Sequence, residues 1–321
     1  MKCFVTGGSG FVGSNLITML LDEGMEVLAM ARSEKSAQTI RNLGAKPVSV
    51  DMAEPEHLAK ELEGCSVIFH LASATDFTKG YDYAYEINVA GTEKLVEAAK
   101  KAKVPRFVYI STAAIILRGK PVYNADENLT YSELPKGNYC KTKSLAEEIV
   151  LRNNSPEFEV IIVRPPLVWG NGSAVKYMVE ACKENKLSWF NQGNYKVPVS
   201  HVKNLCHGIL LAFKNGKAGE MYYIADKEHV VFRDFLTDVL ATQDLEPPKK
   251  NMNRGLALLI AHSISAFWKL SGKKGAPAFS AEIIHMQGTE YTISDRKARK
   301  ELGYEDILSY QEGLEELKVG I

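Results

Sequence analysis

Along the first half of the chain, apolar residues come in short runs, and stretches with helical spacing separate them. The runs at 2–6, 26–31, 47–50, 67–71, 106–111 and 160–164 read as strands. Leu16, Met19 and Leu20 recur at helical spacing between the first two, and 84–101 and 137–150 read as longer helices. Alternating strands and helices predict an α/β fold, a doubly wound parallel sheet of the Rossmann type. In such sheets ligands bind beyond the carboxyl ends of the strands. Thr6, Asp51, Leu71 and Ser111 all fall at predicted strand ends and so converge on one crevice.

Past Arg164 the pattern loses its regularity, with the turn strings Gly170-Asn171-Gly172 and Gln192-Gly193-Asn194. The expected organisation is a dinucleotide-binding domain over 1–166, joined again by about 196–226, and a smaller, interleaved substrate lobe over 167–321. One later stretch, 255–270, is apolar almost all round and is flanked by Arg254, Lys269, Lys273 and Lys274. It is short for a transmembrane span. It fits a core helix of the small lobe, an apolar lid, or an interfacial helix in peripheral contact with a membrane.

Thr6-Gly7-Gly8-Ser9-Gly10-Phe11-Val12-Gly13 follows the first strand directly. Glycines allow a tight turn and close approach of backbone to phosphate oxygens. Free N–H groups at the start of the following helix favour an anion. The spacing is G-x-x-G-x-x-G, which alone also suits an ordinary strand-to-helix turn. A second string, Tyr139-Cys140-Lys141-Thr142-Lys143, places a phenol and an amine four residues apart on one helix face. A neighbouring ammonium stabilises a phenolate and brings the phenol toward working pH.

The 321 residues and 45% hydrophobic content suffice for one large core or two intimate ones. Lys plus Arg and Asp plus Glu both number 39, so no charge excess points to nucleic acid. The five cysteines, at 3, 65, 140, 182 and 206, are scattered and odd in number. They suit reduced thiols in the cytoplasm, not a disulfide frame or a zinc site. His207 and His262 lack partners at metal spacing, so no metal is expected.

Taken in order, these strings resemble the extended short-chain dehydrogenase/reductases. The resemblance covers nearly the whole chain. It includes the glycine string, Asp51, His70-Leu71-Ala72-Ser73, Asn88-Val89-Ala90-Gly91-Thr92, Ile110-Ser111-Thr112-Ala113 and the Tyr139–Lys143 pair. It continues through Arg164-Pro165-Pro166-Leu167-Val168-Trp169-Gly170, His201-Val202-Lys203-Asn204-Leu205 and the stretch from Lys297 to Tyr304. The tail looks most like the 3β-hydroxysteroid dehydrogenase and sterol or 3-oxoacyl reductase branch.

The resemblance implies a catalytic set of Thr112, Tyr139 and Lys143. Tyr139 would exchange a proton with the substrate oxygen. Lys143 would lower the Tyr139 pKa and hold the nicotinamide ribose, and Thr112 would orient the substrate oxygen. Ser111 is the neighbouring hydroxyl; on a strand the two point to opposite sides, so only one can face the substrate, and the resemblance implies that it is Thr112. The cofactor residues implied are Gly7, Gly10, Phe11, Val12, Gly13, Asp51 (toward the adenine amino group), Met52, Leu71, Ala72, Ser73, Asn88, Ser111 and Pro166, with Tyr139 and Lys143 shared. For Asp51 the alternative is a loop or cap aspartate. His70 and His201 read as packing residues, and Trp169 as packing beneath the cofactor end of the lobe.

At the end of the second strand, Arg32 stands where an NAD-binding acid is expected, with Lys35 close by. That charge pattern predicts NADP, with NAD as the alternative. The asparagine that nucleotide-sugar enzymes carry after the Arg164 strand is missing from Arg164-Pro165-Pro166-Leu167. The expected substrate is a hydrophobic ketone or secondary alcohol, with a nucleotide-sugar epimerase or dehydratase, or a non-catalytic NADP sensor, as alternatives. The family's habit of pairing the helices over 84–101 and 139–151 predicts a homodimer, with Val89, Leu95, Val96, Leu145 and Ile149 as its apolar positions.

Overall fold

The computed structural model describes residues 1–129, 134–273, 275–277 and 279–320, so Lys274 lies outside the described residues. Seven parallel strands form the central sheet: β1 (Lys2–Thr6), β2 (Glu26–Met30), β3 (Lys46–Val48), β4 (Val67–His70), β5 (Arg106–Ile110), β6 (Glu159–Arg164) and β7 (Met221–Tyr223). Their spatial order is β7-β6-β5-β4-β1-β2-β3. The order reverses at β1, which pairs with both β2 and β4, so a crevice opens beyond the ends of β1 and β4.

The strands bury both faces, as a parallel sheet must. Cys3, Val5, Val27, Ala29, Phe69 and Val108 face helices Phe11–Asp22 and Val202–Asn215. The residues between them, Phe4, Leu28, Ile68, Phe107 and Tyr109, face helices Pro55–Leu62, Gly91–Lys101 and Asn138–Arg152. This one-residue alternation fixes the register of every strand.

The predicted helix over 84–101 is not continuous. It comprises a short helix Tyr81–Tyr85, a π-helical turn Glu86–Ala90 and a regular helix Gly91–Lys101. Val89, Leu95, Val96 and Ile149 are buried within the protomer, because these helices spend their apolar stripes on the sheet and on each other. Glu93, Glu97, Lys100, Lys101, Glu148 and Arg152 face outward.

Beyond β6, strand Leu167–Trp169 pairs in parallel with Val199–His201 and carries the chain into the smaller lobe. Half-buried Asp226 ties this junction together: it accepts from Trp169 Nε1 and Asn204 Nδ2 at 2.8 Å and from the His201 N–H. Asn204 in turn accepts from the Ile307 and Leu308 N–H groups. Helix Arg254–Leu270 fully buries only Ala257 and Ala261, against Phe190 and Ile284, and leaves Leu256, Leu259, Ile260, Phe267 and Leu270 exposed.

Candidate active site

Gly7 takes a left-handed backbone, φ +71°, at the end of β1, and a Cβ there would come within 2.9 Å of the Ala72 nitrogen. A Cβ on Gly13 would lie 2.1 Å from the Gly7 carbonyl oxygen, so the helix can fold back onto its own turn only with glycine there. Helix Phe11–Asp22 has Gly10 as its N-cap and no side-chain cap, which leaves first-turn N–H groups open. Thr6 Oγ1 fixes the neighbouring loop by accepting from the Leu71 and Ala72 N–H groups at 3.2 and 3.1 Å.

His70 stands behind this loop. Its Nδ1 lies 2.7 Å from Thr6 Oγ1 and its Nε2 2.9 Å from Thr92 Oγ1. Thr92 donates onward to the Asn88 carbonyl. Because Thr92 spends its proton there, His70 donates through Nε2 and accepts through Nδ1. The ring is neutral: burial, and then Lys143, push its pKa down to about 3.

A cleft of about 770 Å³ runs from the glycine turn to Tyr139. Gly7, Gly10, Phe11, Val12, Gly13, Arg32, Met52, Leu71, Ala72, Ser73, Ser111, Thr112, Tyr139, Lys143 and Pro166 all line it. Lys35, Asp51 and Asn88 do not. Lys35 is exposed on the first turn of helix Glu34–Asn42. Asp51 is exposed and accepts from the Ala53 N–H at 2.9 Å, a local turn. Asn88 is buried one layer back: it accepts from the Ala74 N–H at 2.8 Å and donates to Thr142 Oγ1 at 2.9 Å. It thereby links the 71–74 loop to the helix that carries Tyr139.

Tyr139 and Lys143 share a face of helix Asn138–Arg152. Burial holds the Tyr139 phenol above its ordinary value, against hydrogen bonds from Thr112 and Ser73. Phe77 packs edge-on to its ring at 5.7 Å. Lys143 does not lower the phenol as expected. Lys143 Nζ instead donates to the Ile110 carbonyl at 2.7 Å and sits 4.1 Å above the Tyr109 ring. Burial, opposed by Glu147, pushes Lys143 down to about 7. Thr112 caps the turn Ala113–Ile116, and Ser111 Oγ is buried without a partner among the described residues.

Several cleft or supporting residues go beyond the sequence-based expectations. Ser33 and Ser36 line the wall next to Arg32 and form a reciprocal cap, a Ser-x-x-Ser string that was readable in the sequence. Glu147, one turn past Lys143, was equally readable; it forms a buried bidentate pair with Arg164. Glu282 carried no such signal. It accepts from the Tyr139 N–H at 2.6 Å, capping that helix from the far end of the chain. Helix Arg254–Leu270 does not line the cleft; with Gly137, Asn138 and Glu282 it walls a second cavity of about 750 Å³.

A family profile described as the 3-beta hydroxysteroid dehydrogenase/isomerase family matches residues 4–254. The chain belongs to this family. A Stigmatella aurantiaca protein, 4-hydroxy-2-methyl-3-oxo-4-farnesyl-3,4-dihydroquinoline-1-oxide ketoreductase, is 36% identical over 99% of this chain and 96% of its own. A Dictyostelium discoideum sterol-4-alpha-carboxylate 3-dehydrogenase, decarboxylating, is 30% identical over 98% of this chain and 99% of its own. The solved structure of DesIV, a dTDP-glucose 4,6-dehydratase of Streptomyces venezuelae with NAD bound, is 22% identical, with a TM-score of 0.77 over 99% of this chain and 96% of that one. It shares the fold. This 3β-hydroxysteroid dehydrogenase family member is a nicotinamide-dependent dehydrogenase or reductase. The open amides at the glycine turn, the unpartnered Ser111 hydroxyl and a cleft with no acidic lining among the described residues fit that anionic cofactor. No helix among the described residues is long and apolar enough to cross a membrane.

Proposed function

We propose that this protein interconverts a hydrophobic ketone and its secondary alcohol, with NADP preferred over NAD. One observation carries the reading: the Tyr139 phenol lines one cleft with the Thr112 and Ser73 hydroxyls, one helical turn from Lys143, and that cleft begins at the glycine turn. Bound there, the nicotinamide would supply or accept the hydride. Tyr139 gives its proton to the carbonyl oxygen in reduction and takes it back in oxidation. Thr112 donates to the same oxygen as charge develops. Lys143, poised near neutrality, is suited to return a proton to Tyr139.

NADP is supported by Arg32, Ser33 and Ser36, which give one cation and two hydroxyls to a 2′-phosphate where no carboxylate intervenes. Against a nucleotide sugar stands Arg164. Its guanidinium is committed to Glu147 and is not free for a diphosphate. The substrates in the names of the two relatives, a farnesylated quinoline oxide and a sterol, support an apolar one here. The test is a panel of ketones of rising apolar bulk, each assayed with NADPH and NADH. Activity that rises with bulk and prefers NADPH is expected. Activity confined to nucleotide sugars would overturn the substrate class, and preference for NADH the cofactor.

The proposed cofactor domain spans 1–166 with about 196–226, and the proposed substrate lobe spans 167–321. The five free cysteines fit the cytoplasm. A homodimer stays the expected assembly, through a polar face, since most of its expected apolar contacts are buried in the protomer; sedimentation as a monomer at micromolar concentration would reject it.

A further inference from the structure

We propose that Glu282 is a positioning residue for the proton transfer at Tyr139. The helix that carries Tyr139 starts at Asn138 and has Gly137 as its N-cap, so it brings no side-chain cap of its own. The second N–H of a helix is one that a capping side chain ordinarily satisfies. Here that N–H belongs to Tyr139, and Glu282, 143 residues further along the chain, supplies the acceptor: Oε1 lies 2.6 Å from the Tyr139 nitrogen. The bond is to the main chain of the reacting residue itself. Gly137 makes room for it. Its φ is +91°, and a Cβ there would come within 3.0 Å of Glu282 Cγ and 3.1 Å of Oε1.

Glu282 is itself held in place. It is 8% exposed and forms no ion pair among the described residues. Burial raises its carboxyl above the ordinary range, and the Tyr139 N–H opposes that rise. A buried carboxylate without a cation is costly. The main-chain donor and the positive end of the Tyr139 helix offset that cost. Its own short helix, Ala281–Met286, buries Ile284 in one cluster with Phe190, Ala257 and Ala261. The packing of these segments therefore fixes where Glu282 stands. Asn88 grips the same catalytic helix through Thr142 Oγ1, so its first turn is tied at two points. Releasing one tie lets the phenol shift against the ketone oxygen. A shift of about 1 Å costs transfer far more than it costs binding. This role rests on Tyr139 as the group that moves the proton.

The test compares Glu282→Gln, Glu282→Asp and Glu282→Ala on the best ketone from the panel. Gln keeps the length and a carbonyl acceptor; Asp keeps the charge and loses the reach. Turnover should fall about tenfold or more in the Asp and Ala variants and stay within about threefold in the Gln variant. Ketone KM and NADPH affinity should stay within about twofold in all three. Glu282→Ala added to Tyr139→Phe should slow turnover no further, because the carboxylate acts only through that phenol. Where the Ala variant does not fold, the contrast between Gln and Asp decides. A cap that serves folding alone would lower the melting temperature and leave turnover at the parental level, which overturns the proposal. So does a Gln variant as slow as the Asp one, or a further loss on the Tyr139→Phe background. Near-parental turnover in Tyr139→Phe alone would overturn the role of the phenol instead.

Discussion

Glu147 and Arg164 form a two-pronged pair, with Arg164 Nε 2.9 Å from Oε1 and Nη2 2.6 Å from Oε2. Their side chains are 5% and 8% exposed. The pair clamps the Tyr139 helix to the end of β6, one turn below Lys143. A buried charge stripped of its partner is costly, about 3–5 kcal/mol. Arg164→Met should therefore lower unfolding free energy by about that much, and Glu147→Leu with Arg164→Met should recover most of it. Chemical denaturation of the single and double variants checks this. Equal losses in both would show that the pair acts through packing alone.

Lys143 makes stability depend on pH. Its amine sits near pKa 7 when folded, against an ordinary value of 10.5. Between those values the unfolded chain binds more protons, so this group makes stability rise with pH; below about 7 its penalty is fully present. Lys143→Met removes the penalty, and its melting temperature relative to the parent should be higher at pH 6 than at pH 10. A difference that does not change with pH would mean that Lys143 keeps its ordinary pKa.

Arg32→Ala should reduce kcat/KM for NADPH by about tenfold or more and leave NADH within about twofold, since bonds between charged groups are among the strong ones. Steady-state assays with both cofactors decide it. Equal losses would show that Arg32 stacks on the base and does not read a phosphate.

Much of this was legible in the sequence because local rules carried it. Gly7 and Gly13 stand where side chains would strike backbone, and Tyr139 and Lys143 share a face by spacing alone. What needed the structure depends on partners far along the chain. The hydrogen bond from Lys143 to Ile110 and the cap that Glu282 gives Tyr139 join segments no short pattern connects. Strand Met221–Tyr223 is only three residues long, too short to show a period. The hydropathy of 255–270 was plain, but not that its large side chains point away from the protein, because apolar sequence does not say which side is covered.

In the proposed reaction the Tyr139 phenol moves the proton. Tyr139→Phe deletes one oxygen and keeps the ring that packs on Phe77. With the best ketone from the panel, its turnover should fall about a thousandfold. NADPH affinity, read by cofactor fluorescence on the same preparation, should stay within about twofold, because the glycine turn and Arg32 are untouched. Near-parental turnover with intact NADPH binding would show that another group moves the proton.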